Sequence, residues 1–174
     1  MIVGIHQPNY LPYLGFFDKM AKSDLFVIYD DTQFNKHEFQ HRNRIRIYDG
    51  WKWLTVPVIK EEIPLKEIKV INEQQKNKPH WSMLHYREIR ANYVKTNYFS
   101  IYEEEIRKIY EKRYDTLVDL NMIVIKFLMK AFDISVKIVY ASKFGLTTKS
   151  SQKNLDLVEA VGGDVYLSGV GGRD

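Results

Sequence analysis

The side chains best suited to chemistry come early, in the run His6-Gln7-Pro8-Asn9-Tyr10. An imidazole can take or give a proton near neutral pH. The amides of Gln7 and Asn9 can read polar ligand edges, as can the Tyr10 hydroxyl. Pro8 and Pro12 stiffen the loop, which lowers the cost of ordering it around a ligand. Gly15 permits close backbone approach, and Lys19, one helical turn further on, can reach back with a positive charge. The bland reading is a rigid connection with His6 as a satisfied, buried hydrogen-bonder.

A second cluster is Asp30-Asp31-Thr32-Gln33-Phe34. Paired carboxylates can hold Mg²⁺, orient an amine or act as a general base, and they can equally form a turn. Donors then crowd together from Lys36 to Arg44. Arg42 and Arg44 suit bidentate recognition of phosphate or carboxylate, with Gln33, Gln40 and Asn43 as further ligand-reading amides. His37, Glu38 and His41 have the i, i+1, i+4 spacing of a helical metal site. No third ligand accompanies the two histidines, so no metal ligands are assigned. Lys149 and Ser150, just ahead of a helix, form another candidate anion site. Ser168 and Arg173 flank glycines whose backbone N–H groups could approach a phosphate.

The elements that must position these groups follow from periodicity. Met1 to His6 and Leu25 to Tyr29 read as buried strands, with an amphipathic helix over Tyr13 to Lys22 between them. That is a βαβ unit, and it implies parallel pairing. Both the His6 loop and the Asp30 loop then leave the carboxyl ends of neighbouring strands and face a shared cleft, with the positive end of the helix pointing at it. Residues 32–50 read as a long functional loop with a short strand at Arg44 to Tyr48. Asp49-Gly50 signals a hairpin turn into a strand over Trp51 to Val58, and Leu65 to Ile71 reads as a weaker strand. Trp81 to Val94, Tyr98 to Lys112 and Tyr114 to Phe132 read as helices, with Ser100 and Glu103 resembling a capping box. Val136 to Tyr140 and Val165 to Leu167 are the last strands, separated by a helix over Gln152 to Val161. The fold class is α/β: a parallel, Rossmann-like sheet in one domain spanning residues 1–174, with a helical insertion over residues 80–132. The chain stops inside a glycine-rich loop and reads as truncated at its C-terminus.

Composition narrows the field. The sequence has 174 residues, 45% hydrophobic and 28% charged, as a globular domain does. The absence of cysteine excludes disulfides, thiolate metal sites and a Cys nucleophile. No secretory signal or membrane span is visible, so a cytoplasmic location is expected, without membrane insertion. The net charge of +4 permits an anionic ligand, but interleaved acids argue against nucleic acid. No Gly-x-Gly-x-x-Gly, P-loop or nucleophile-elbow motif occurs.

The sequence resembles the WbqC-like protein family. The residues that carry the resemblance are His6-Gln7-Pro8-Asn9-Tyr10-Leu11-Pro12, Gly15 to Lys19, Asp30 to Phe34, Gln40 to Ile45, Trp53 to Val58 and Tyr166 to Asp174. The resemblance implies an enzyme of surface-polysaccharide (O-antigen) biosynthesis. Such an enzyme would transfer an acyl or aminoacyl group, for example glycyl, to a nucleotide-linked amino sugar. A weaker, fold-level resemblance is to nucleotidylyltransferase-like proteins such as pantothenate synthetases. There a His-bearing loop contacts ATP phosphates and a Thr-Gln-Phe follows the second strand, as Thr32-Gln33-Phe34 does here. The second His of that group's motif is absent. The cofactor stays open; an acyl-adenylate route would call for ATP with Mg²⁺. On the transferase reading His6 and Lys19 stabilise phosphate charge, Asp30 or Asp31 accepts a proton or binds Mg²⁺, and Arg42 and Arg44 hold a second substrate. The alternatives are a nucleotidylyltransferase and a non-catalytic module that binds a nucleotide or nucleotide-sugar.

Overall fold

The computed structural model describes residues 1–59, 61–74 and 76–169. Four parallel strands form the central sheet: β1 (Ile2–His6), β2 (Leu25–Ile28), β5 (Lys137–Tyr140) and β6 (Val165–Leu167), in the order β5-β2-β1-β6. α1 (Leu14–Ala21) makes the crossover from β1 to β2. This is the Rossmann-like α/β arrangement expected, and the register aligns the carboxyl ends: His6 sits beside Ile28, Ile28 beside Tyr140 and Gly4 beside Leu167.

Both sheet faces are covered, which is why the strands read as continuous apolar runs. Val3, Ile5, Leu25 and Val27 pack with Leu157 and Val158 of α5 (Ser150–Ala160). On the other face Phe26 and Ile28 join Phe16 and Met20 of α1 and Leu120 and Ile125 of α4 (Leu117–Ala131). Side chains alternate across a strand, so His6 shares a face with Gly4 and meets the Phe16 ring edge-on, 5.0 Å between centroids. Gly4 is required by close approach: a Cβ there would lie 2.4 Å from Ser23 Oγ.

The segment after β2 forms the hairpin β3 (Arg42–Ile47) and β4 (Gly50–Thr55). The weak strand expected over Leu65 to Ile71 is instead a single 3-10 turn, Leu65–Glu67, with isolated bridges at Val70 and Lys69. Leu65, Ile68 and Val70 are buried there at a spacing that fits neither strand nor long helix. α2 (Trp81–Tyr93), α3 (Phe99–Glu111) and α4 make up the helical insertion. The capping box at Ser100 does not form: α3 starts after Tyr98 without a side-chain cap, and Glu103 pairs with Arg90 at 2.6 Å. Among the described residues no helix is long and apolar enough to cross a membrane.

A buried polar chain ties the insertion to the first loop. The Tyr10 hydroxyl lies 2.9 Å from His85 Nδ1 and 2.6 Å from the Tyr110 hydroxyl. Burial drives the His85 pKa down to about 4, against a smaller opposing effect of its hydrogen bond to the Thr55 backbone. The unfolded chain therefore binds a proton below pH 6.5 that the folded chain refuses, so stability is full above pH 6.5 and falls as pH drops toward 4. The expected loss is about 3 kcal/mol over that window. Chemical denaturation across the window should show the slope in the wild type and lose most of it in His85→Gln; equal slopes would assign the acid sensitivity elsewhere.

Candidate functional site

Strand order reverses between β1 and β6, because the chain builds outward through β2 and β5 and returns to the far side of β1. Ligands of open α/β sheets bind at such a switch point, beyond the carboxyl ends of the strands. A cleft of about 1930 Å³ opens there. It is larger than the roughly 300–1,000 Å³ of a single small-ligand pocket, so it has room for more than one small molecule. His6 and Asn9 line it, with Gly15 and Lys19 of α1, Gln33 and Gln40 of the second loop, and Ser168 after β6.

His6 is the imidazole that lines this cleft at the end of β1. Its Nδ1–H donates to the Gln7 carbonyl at 2.9 Å. A carbonyl only accepts, so the neutral ring carries its proton on Nδ1 and leaves the Nε2 lone pair free. No hydrogen bond engages Nε2 among the described residues. Burial, and to a lesser extent the Lys19 charge, hold the His6 pKa below its ordinary value, against the Gln7 hydrogen bond. The ring is thus a base at neutral pH.

Two groups beside it favour negative charge or polar edges. Lys19 donates to the Ile5 carbonyl at 2.7 Å and lies 5.4 Å from the Tyr166 ring centre; burial pushes its pKa down to about 8. Asn9 is only 7% exposed, yet its amide makes no hydrogen bond among the described residues. It lines the cleft, where its amide is open to whatever enters. The first turn of α1 has no side-chain cap and no acid, so apart from the Phe16 N–H, which donates to the Tyr13 carbonyl at 3.0 Å, its start and positive dipole end meet no side-chain acceptor. The exposed Tyr13 ring lies against Gly15, where a Cβ would push it aside.

Several expected ligand residues hold the loop in shape, Gln7 and Gln40 while also lining the cleft. Tyr10 is fully buried, with its hydroxyl in the core chain described above. Gln40 Nε2 donates to Gln7 Oε1 at 2.7 Å, and Gln40 Oε1 accepts the Asn35 N–H. Asn43 donates to the Tyr10 and Leu11 carbonyls at 3.2 and 2.7 Å. That clamp holds Leu11 in the left-handed region, φ 46°, a conformation costing about 1–2 kcal/mol in a non-glycine residue. Asn121 of α4 donates to the Pro8 and Gln40 carbonyls at 2.7 and 2.8 Å.

Asp30 follows β2, adjacent and parallel to β1 as expected, but it does not face the cleft. Both its oxygens accept from Ser142, the backbone N–H at 2.9 Å and the hydroxyl at 2.7 Å. Asp31 accepts from Lys153 of α5 at 2.8 Å in a largely buried ion pair. Neither acid lines the cleft. Arg42 and Arg44 lie on β3, stacked over Trp53 and Trp51, and do not line it either. Lys149 and Ser150 stop short of the cleft, while the next residue, Ser151, lines it. Arg173 lies outside the described residues. Tyr13, Tyr29, Tyr166 and Asn154 line the cleft and were not singled out in sequence. Tyr13, at the start of α1, and Tyr166, beside Ser168, carried a positional signal; Tyr29 and Asn154 carried none.

A model of the WbqC-like protein family matches residues 7–174. An uncharacterized protein of Mycobacterium tuberculosis is 29% identical over 172 residues, which cover 98% of this chain and 73% of that protein. No solved structure matches.

Proposed function

Because the chain belongs to the WbqC-like protein family, we propose that it serves surface-polysaccharide biosynthesis as a transferase, moving an acyl or aminoacyl group such as glycyl onto a nucleotide-linked amino sugar. The observation that carries the reading is the free Nε2 of a neutral His6 in a cleft that also offers the unpartnered Asn9 amide and the uncapped start of α1. The nucleotide's phosphates sit against α1 and Lys19. The sugar amine attacks the carbonyl of an activated acyl donor. A C–N bond forms, the bond to the leaving group breaks, and the proton shed by nitrogen passes to His6 Nε2. Lys19 steadies negative charge on the leaving group.

Asp30 and Asp31 have their carboxylates committed to Ser142 and Lys153, a poor fit to a Mg²⁺ site at that loop. They hold the fold around the cleft in this mechanism, and no step passes through a metal. ATP would enter as the activating co-substrate if the acyl group arrives as a free acid.

A thermal-shift screen with nucleotides and nucleotide-linked amino sugars tests the proposal. A ligand at a hundred times its Kd stabilises by about 2.7 kcal/mol, or roughly 5–11 °C for a chain of this size. A shift with nucleotide-linked amino sugars, followed by mass-spectrometric detection of the acylated product, is the expected result. Binding without product under any activated donor would leave only a nucleotide-sugar binding module.

A further inference from the structure

We infer that the outward face of the β3–β4 hairpin binds an acidic saccharide chain, with arginines clasping the carboxylates of its sugar rings. In the hairpin register Arg42, Arg44 and Arg46 stand opposite Thr55, Trp53 and Trp51. The other face carries Ile45 and Leu54 into the core. Alternation therefore collects three guanidiniums and two indoles on one surface. Residues 36–52 hold Lys36, Arg42, Arg44, Arg46 and Lys52 against Glu38 and Asp49, a local excess of +3 (five minus two) in a chain of net +4. Lys52 is paired with Glu88. Among the described residues none of the three arginines meets a carboxylate, and Arg42 Nε is buried without a partner.

Two of the guanidiniums are set in place by the indoles. Arg42 lies 4.7 Å from the Trp53 ring centre; Arg44 lies 4.9 Å from Trp51 and 5.5 Å from Trp53. Phe39 stacks on Trp53 at 6.0 Å. Stacking orders the forks in advance, so less entropy is lost when they grip an anion. It also covers the Trp53 ring, whereas Trp51 carries Arg44 alone and stays accessible. The two indoles stand at 83° to each other, so successive nucleobases find no open parallel platform. An extended peptide cannot join the edge of β3, because the Arg44 N–H is taken by Asn43 Oδ1 and the Arg46 N–H by the Tyr93 hydroxyl. What remains on offer is guanidinium N–H edges for carboxylates and the exposed rim of Trp51, 54% accessible, for the C–H face of a sugar ring. The surface reaches the cleft rim: Arg42 donates to the carbonyl of His37, which lines the cleft.

This inference rests on the reading of the protein as a polysaccharide enzyme, but its test reads binding and not turnover. Tryptophan fluorescence would follow titration with an oligogalacturonate, its methyl-ester form, an RNA oligomer and an acidic peptide. The oligogalacturonate should bind, weaken with added salt, and lose about tenfold or more in affinity in Arg44→Gln/Arg46→Gln; the neutral ester should bind far more weakly. Equal binding of the ester, unchanged binding by the double variant, or tighter binding of RNA or peptide at matched charge would each overturn the inference. Acyl transfer that persists without oligogalacturonate binding would overturn it alone and leave the transferase reading intact.

Discussion

A His6→Ala variant is expected to lose turnover by about 10²–10⁴-fold, the usual contribution of a positioned base, while unfolding at nearly the wild-type temperature. The ring keeps one side open to the cleft, and its one hydrogen bond goes to the neighbouring Gln7 carbonyl. Little of the fold hangs on it beyond the edge contact with Phe16. His6→Gln is the sharper variant, because it keeps volume and polarity but no base. In both, kcat should collapse and KM should change little, since the phosphate groups of the substrate rest on Lys19, Asn9 and α1. The pH profile gives an independent check. With its pKa held below 6.5 by burial, the ring stays neutral through pH 7 and into mildly acidic solution, so the rate should begin to fall only below pH 6.5. A His6→Gln enzyme that keeps its rate within about threefold, against the hundredfold expected of a base, would remove His6 from the chemistry.

Much of this site could be read from the chain because its parts are local. A short apolar run ending at His6, two prolines and an amphipathic helix are enough to place an imidazole at a strand end facing a helix N-terminus, and β1, α1 and β2 lie where periodicity put them. The parts that could not be read depend on partners far away in sequence. Asp30 turns to Ser142 across 112 residues and Asp31 to Lys153 across 122. Two acids beside a His loop look catalytic until those partners are in view. Tyr10 belongs to a polar run, yet its hydroxyl finds His85 and Tyr110 and the ring goes inward. Arg42 and Arg44 fell in a segment read mostly as loop. As strand residues two apart, they share a face, and that face is outside the cleft. The polar residues of these motifs thus divide into some that line the cleft and others that hold the loop in position, with Gln7 and Gln40 doing both.

Lys153→Met is expected to destabilise the protein by about 3–4 kcal/mol, because it strands the Asp31 carboxylate in a site that excludes most water. The side chains of the pair are 8% and 15% accessible, and Asp31 Oδ1 has no other partner. For a chain of this size the loss corresponds to roughly 6–16 °C in Tm. Removing both charges should behave differently. Asp31→Asn/Lys153→Met leaves no unpaired ion and should recover most of the loss, since an ion pair in such a place repays little more than its own desolvation. The pair also bears on the cleft. Lys153 sits on α5 between Ser151 and Asn154, which line it, and Asp31 is two residues after Tyr29, which lines it just past the end of β2. Lys153 lies 5.1 Å from the Tyr29 ring centre. The ion pair therefore fixes one wall of the cleft to the end of the sheet, and the double variant, though stable, should bind nucleotide-sugar more weakly than wild type. A single variant that melts within about 2 °C of wild type, less than 1 kcal/mol, would show that Asp31 finds water or another donor, and that this wall is held by packing of α5 alone.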